Sequence, residues 1–178
     1  MKRGHPGLYD ALQLAISHAD QLPTSYLEIG VSDGASLLTV LNHAPIENLV
    51  LCDLWEPVEG GSGRGSHDHI AALLKNLMYE GHVLYLDGNS HILLQTLEPS
   101  FQFDLITVDG DHTFDGATAD LEHVWPHLRA GGTLVFDDLT RGQLTRVWTE
   151  FSERHPTLHR LFQLDDYADV TVVARRTE

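Results

Sequence analysis

Residues Tyr26 to Val40 read YLEIGVSDGASLLTV, a short apolar run, a turn carrying Gly30 and Gly34, and then a stretch with helical periodicity. The run reads as a strand, the two glycines permit a tight turn with close backbone approach, and the helix begins at about Ala35. Strand, turn and helix in this order form the first half of a βαβ unit.

The same alternation continues along the chain. Strands are expected at Tyr26 to Gly30, Asn48 to Asp53, His82 to Leu86, Phe103 to Val108, Gly132 to Phe136, Leu158 to Leu164 and Ala168 to Ala174. Helices are expected at Leu8 to Ala19, Ala35 to Leu41, His67 to Tyr79, Ser90 to Leu97, Asp115 to Leu128 and Gln143 to Arg154. Pro23, Gly81 and the Gly131-Gly132 pair read as helix stops, and Asn89 as an N-cap. Strands alternating with helices predict an α/β fold with a parallel sheet covered on both faces. Glu56 to Gly65, EPVEGGSGRG, reads as a mobile loop and a candidate lid. No repeat or interdomain linker interrupts residues 1–178, so one domain is expected.

Composition narrows the partners. Eleven Lys and Arg against 26 Asp and Glu leave a net charge of −15, which repels phosphate backbones and anionic lipid headgroups, so neither nucleic acid nor a membrane is expected as a partner. The opening MKRGHPGLYDALQLAI is interrupted by Asp10 and Gln13 and does not read as a signal peptide. With the single cysteine, Cys52, inside an apolar run, a reducing, cytoplasmic setting is expected.

In open α/β sheets ligands bind beyond the carboxyl ends of the strands. Here those positions are acidic four times over: Asp53 ends strand two, Asp87 follows strand three, Asp109 and Asp111 follow strand four, and Asp137 and Asp138 follow strand five. Asp53 lies about 20 residues beyond the glycine turn, where an acid accepts the hydroxyl hydrogens of a ribose. The dinucleotide pattern G-x-G-x-x-G is missing, and Asp33 would face a pyrophosphate with like charge, which disfavours NAD or FAD. A cofactor of cationic character fits better.

Five segments then carry a family resemblance: LEIGVSDGAS, LCDLW, YLDGNS, FDLITVDGDHTFDGATADL and LRAGGTLVFDDL. In these the chain resembles class I S-adenosylmethionine-dependent methyltransferases, in particular the small metal-dependent group related to macrocin-type sugar O-methyltransferases. The resemblance implies a Rossmann-like three-layer sandwich whose seven-stranded sheet has the order 3-2-1-4-5-7-6, with strand seven antiparallel. It implies that Glu28, Gly30 and Gly34 shape the pocket for the methionine part of S-adenosylmethionine, that Asp53 holds the ribose, and that Asp87, Gly88, Asn89 and Ser90 border the adenine. Asp33, Ser36, Leu54 and Asp109 complete the implied cofactor contacts.

The same resemblance implies a Mg²⁺ site at Asp109, Asp137 and Asp138, a hard oxygen donor set suited to that ion. It implies a general base at Asp111, with His112 as the alternative, and methyl transfer to a hydroxyl oxygen of a small-molecule acceptor. Asp137 and Asp138 also suit a helix-capping pair, and His112 suits a structural hydrogen bond. Three other readings stay open: a non-catalytic cofactor-binding partner module, a nucleotide-dependent oxidoreductase, and metal-independent transfer to nitrogen. Few elements lie outside the sheet, so an open site or one completed in a homodimer is expected. His67 and His69, two apart on a helix, read as a solvated helix start, and His155 and His159 as surface residues. Trp125 and Trp148 read as core-facing, and Trp55 as packing near the adenine.

Overall fold

Strand β1, Ser25–Ile29, is buried along its whole length, as a central strand of a parallel sheet must be. The computed structural model describes residues 6–55, 64–165 and 169–177. Around β1 run β2 (Asn48–Asp53), β3 (His82–Asp87), β4 (Phe103–Val108), β5 (Leu128–Phe136), β6 (Leu158–Asp165) and β7 (Val170–Arg176), in the order β3-β2-β1-β4-β5-β7-β6. The first five strands pair in parallel, and β7 pairs antiparallel with both β5 and β6. This is the expected seven-stranded sandwich.

Period-two alternation sends successive β1 side chains to opposite faces. Tyr26 joins Leu49, Leu51, Leu105 and Val135 in a core covered by α1 (Pro6–Ser17), α2 (Ala35–His43) and α3 (His67–Asn76). Leu27 and Ile29 join Val50, Cys52, Ile106 and Val108 in a second core covered by the single turn α4 (Ser90–Leu93), α5 (Phe114–Val124) and α6 (Leu144–Arg154). Helix α6 shows how that layer is fixed, burying Leu144, Val147, Trp148 and Phe151 at spacings of three and four residues, one stripe of a 3.6-residue helix. No helix among the described residues is long and apolar enough to cross a membrane.

The chain moves from β1 outward to β2 and β3, then returns to the other side of β1 for β4 and β5. That reversal opens a crevice beyond the carboxyl ends of β1 and β4. The strand ends are held level: Gly30 N–H donates to the Cys52 carbonyl, Asp109 N–H to Ile29 and Asp137 N–H to Val108, at 2.9, 3.0 and 3.1 Å.

Several expected boundaries move, each for a local reason. Helix α5 stops at Val124 rather than Leu128, because Pro126 turns the chain into a 3₁₀ turn over Trp125–His127. The Gly131-Gly132 pair is therefore no helix stop. It lies inside β5, where pairing with β4 slips from Phe103↔Leu128 to Leu105↔Thr133 and Gly131 takes φ +81°. Helix α3 ends at Asn76, before Met78 in the left-handed region at φ 52°. Beyond α4 the chain tightens into a 3₁₀ turn at Leu94–Thr96, while Asn89 caps α4 as expected, accepting from His91 N–H at 2.8 Å. Residues 56–63, most of the expected lid, lie outside the described residues.

The start of α3 is solvated as expected, with the His67 side chain 42% exposed; His67 Nδ1 also lies 2.7 Å from Asp87 Oδ2 and its ring centroid 4.1 Å from that of Tyr85, which ties α3 to β3. One histidine expectation is corrected. His155 is wedged against Trp125 and Phe151, each ring centroid 4.4 Å away, and its Nε2 lies 3.1 Å from Glu122 Oε2. His159 is exposed, as expected.

Candidate active site

The turn after β1 is shaped by backbone crowding. Gly30 takes φ +83°, and a Cβ built there would lie 1.9 Å from the Asp109 carbonyl oxygen. Only glycine lets β1 and β4 approach so closely at this point. Gly34, at φ +82°, lies beneath Ile70 and Leu73 of α3, and Gly65 rests against the Ser32 carbonyl. The start of α3 thus covers the glycine turn, with His69 Nε2 3.3 Å from the Asp33 carbonyl while Asp33 itself stays exposed.

Glu28 is fully buried on β1. Ser36 Oγ donates to its Oε1, while its Oε2 has no hydrogen-bond partner. Burial pushes the carboxyl from 4.5 up to about 8, and the charges of Asp109 and Asp53 add to the rise. Asp53 accepts from Ser32 N–H at 2.8 Å and Trp55 N–H at 2.6 Å, which fixes its carboxylate at the rim of the crevice. Next to it, Asp87 accepts from Trp55 Nε1 at 2.8 Å, so Trp55 spans the paired ends of β2 and β3 beside the expected adenine position. Leu54 is 40% exposed, Asn89 is exposed, and Gly88 N–H donates to the Asp53 carbonyl at 2.9 Å. Ser90 turns inward instead, donating through Oγ to Asp120 at 2.6 Å.

Across the crevice, Asp109, His112 and Asp138 bring a ligand-capable atom each to within 4.8 Å of one another. His112 Nε2 lies 3.5 Å from Asp109 Oδ1 and 3.0 Å from Asp138 Oδ2. Hydrogen bonding to Asp109 and then Asp138 pushes the imidazole from 6.5 up to about 10, against the opposing effect of burial. Arg141 Nε also meets Asp138 Oδ2, at 2.9 Å, and reaches Asp169 Oδ2 at 3.0 Å.

Asp137 is not in this group. Successive residues leaving a strand face opposite ways, and here Asp138 adopts φ 59°, so the two acids diverge. Asp137 is buried and accepts from Thr171 Oγ1 on β7, with burial first and the Asp109 charge second raising its carboxyl to about 8. Asp111 also points elsewhere. Its Oδ1 accepts from Thr113 N–H at 2.8 Å, and its Oδ2 lies over Gly116 and 3.9 Å from His91 Nε2.

Sequence reasoning passed over Asp120, a fully buried acid on the inner face of α5. Its signal was present: in FDGATADLEHV the buried stripe Ala117, Leu121 and Val124 includes one carboxylate. A cavity of about 190 Å³ lies at the opposite end of the sheet, between Ile16, Pro23, Asp104 and Gly131, away from the acids of the crevice.

A glycine turn, a rim acid on β2 and an acidic group beyond β4 and β5, on a sheet of this order, define a Rossmann-like transferase domain. Residues 27–139, more than half of the chain, match the family model of the methyltransferase domain, and the chain belongs to that family as a methyltransferase enzyme. No curated protein sequence matches it. Among solved structures it is similar to the O-methyltransferase TomG from Streptomyces achromogenes, involved in tomaymycin synthesis and crystallised with SAM. That match has a TM-score of 0.74 and 19% identity, over 99% of this chain and 82% of the other. It is also similar to the N-methyltransferase NodS from Bradyrhizobium japonicum in complex with S-adenosyl-L-homocysteine, with a TM-score of 0.67 and 19% identity over 96% and 86% of the two chains. A third similar structure, a putative caffeoyl-CoA O-methyltransferase from Staphylococcus aureus, has a TM-score of 0.68 and 15% identity over 94% and 82%. At these identities the likeness is one of fold.

Proposed function

We propose that this enzyme uses S-adenosylmethionine and transfers its methyl group to a hydroxyl oxygen of a small-molecule acceptor. The observation that carries the reading is the set of buried carboxylate oxygens without hydrogen-bond partners around the crevice: Glu28 Oε2, Asp137 Oδ2 and Asp138 Oδ1. Buried carboxyl oxygens without a hydrogen-bond partner favour a ligand that brings donors and positive charge to them. S-Adenosylmethionine brings an ammonium group and a sulfonium, and it supplies the reaction with a methyl group on a good leaving sulfur.

The protein's own part is to bind, orient and handle one proton. Gly30, Gly34 and Glu28 form the end of the crevice suited to the amino acid part, and Asp53 and Asp87 the end suited to the nucleoside. As the carbon–oxygen bond forms and the carbon–sulfur bond breaks, the hydroxyl proton must leave, and His112 is better placed than Asp111 to take it. His112 stands between Asp109 and Asp138, whereas Asp111 is engaged by Thr113. The imidazole becomes a base once the two carboxylates share their charge with another cation.

Asp109, His112 and Asp138 also fit a divalent metal, since Asp138 Oδ1 is buried without a partner and the donor atoms converge; with such an ion bound, His112 would serve as a ligand in place of its role as base. Such an ion would lower the pKa of a bound hydroxyl. One observation favours a second reading, metal-free transfer to nitrogen: Asp137 is turned away and Arg141 already neutralises Asp138. Incubating the protein with methyl-labelled S-adenosylmethionine and a panel of sugar-like alcohols and amines, with Mg²⁺ or EDTA, tests the reading. Label in an alcohol, reduced by EDTA, supports it; label only in amines, indifferent to EDTA, overturns it.

A further inference from the structure

Asp120 is the fully buried acid on the inner face of α5, among Ala117, Leu121 and Val124. A carboxylate with no exposure is costly unless polar groups come to it, and here they come from two different loops. From the turn after β3, Ser90 Oγ donates to Asp120 Oδ1 at 2.6 Å, and His91 Nε2 lies 3.5 Å from the same oxygen. From the turn after β4, Asp111 N–H donates to Oδ2 at 3.4 Å. Gly110 presses on the carboxylate as well: a Cβ there would lie 2.8 Å from Asp120 Oδ2.

These two turns carry the two halves of the site. Residues 87–90 border the nucleoside end, and His112 follows Asp111 directly. Among the described contacts the two turns meet directly at His91 Nε2 and Asp111 Oδ2, 3.9 Å apart and without a hydrogen bond, whereas the Asp120 carboxylate takes a hydrogen bond from each and is their shared anchor. His91 Nε2 makes no hydrogen bond and lies between Asp120 Oδ1 and Asp111 Oδ2, at 3.5 and 3.9 Å.

We propose that Asp120 is a positioning residue that locks the turn bordering the nucleoside to the turn carrying His112, so that the cofactor end and the proton-handling end of the crevice keep one fixed spacing. The proposal rests on the methyltransferase reading for its consequence in binding, but the coupling of the two turns stands on the geometry alone. It calls for Asp120 specifically: asparagine keeps the shape but presents an NH₂ group to one of the two donors, and the bond on that side is lost.

The test combines amide hydrogen exchange with S-adenosylhomocysteine calorimetry on wild type, Asp120→Asn and Ser90→Ala. Asp120→Asn is expected to raise the dissociation constant at least tenfold and to speed exchange at residues 88–91 and 110–112 together, with the β4, β5 and β7 amides as protected as in wild type. Ser90→Ala, which leaves the carboxylate in place, is expected to speed exchange at Asp111 and His112 on the far side of it. A purely structural role gives a different pattern, namely a lower melting temperature with unchanged affinity and unchanged loop exchange at temperatures where the chain is folded. That result overturns the proposal, as does a Ser90→Ala effect confined to residues 88–91. If wild type binds no S-adenosylhomocysteine the functional reading fails, while the exchange data still decide whether Asp120 couples the turns.

Discussion

His112 Nε2 lies 3.0 Å from Asp138 Oδ2 and 3.5 Å from Asp109 Oδ1, so one imidazole stands between carboxylates delivered by the ends of β4 and β5. Removing the imidazole leaves Asp138, 3% exposed, with Arg141 as its remaining cation among the contacts described. We expect His112→Asn to lower stability by about 2 kcal/mol at pH 7, the usual range for a hydrogen bond to a charged group, as read by urea denaturation. If His112 takes the acceptor proton, turnover falls roughly 100-fold or more in the same variant.

Asp111 provides the contrast. Its carboxylate serves the Thr113 N–H, a bond that an asparagine oxygen can also accept. Asp111→Asn is expected to keep turnover within about fivefold of wild type, below the range of a lost general base. A loss as deep as that of His112→Asn, measured side by side, returns the base to Asp111.

Glycine substitutions separate strain from collision. Gly30 and Gly131 have nearly the same backbone, φ +83° and +81°, but a Cβ at Gly30 would strike the Asp109 carbonyl while one at Gly131 meets nothing within 4 Å. Gly131→Ala should cost about 1–2 kcal/mol, the strain of a left-handed residue. Gly30→Ala carries that strain plus displacement of Asp109, so its loss on denaturation is larger and its cofactor binding is abolished. Equal losses would mean that the close approach of β1 and β4 is unimportant.

Stability should fall as pH rises through neutrality. Folded Glu28 keeps its proton up to about 8, whereas in the unfolded chain the proton leaves near 4.5, so between these values the folded state binds more protons and each step up in pH favours unfolding. Asp137, also raised to about 8, acts in the same direction, and so does His112, whose folded state holds its proton from 6.5 to about 10. Asp104 and Asp169 oppose this at low pH, where their depressed carboxyls lose stabilising partners on protonation. Denaturation at pH 5 and pH 8.5 is expected to show greater stability at pH 5, and Glu28→Gln to reduce the difference. An unchanged difference in that variant would mean that Glu28 is ionised in the folded protein at both pH values.

Much of this was legible in the sequence. Strand positions followed from apolar runs bounded by glycine, and Asp53, Asp87, Asp109 and Asp138 fell at the crevice because strands of a parallel sheet end on one side. The order of the sheet came from family resemblance, since periodicity identifies strands but says nothing of which lie side by side. The divergence of Asp137 from Asp138 depends on a left-handed φ at Asp138, a conformation that a non-glycine residue does not announce. The Gly131-Gly132 bulge was read as a helix end because glycine serves both purposes, and only Pro126 could have distinguished them. Asp120 was passed over because a lone acid in an apolar stripe stands out only when the helix face is known to be buried.

The central claim is that the crevice takes S-adenosylmethionine, and calorimetric titration of the wild-type protein with S-adenosylhomocysteine, with NAD as a control, tests it most directly. The account predicts saturable binding of S-adenosylhomocysteine, one molecule per chain, and none of NAD. Binding of NAD, or no binding of S-adenosylhomocysteine with Mg²⁺ or with EDTA, would contradict it.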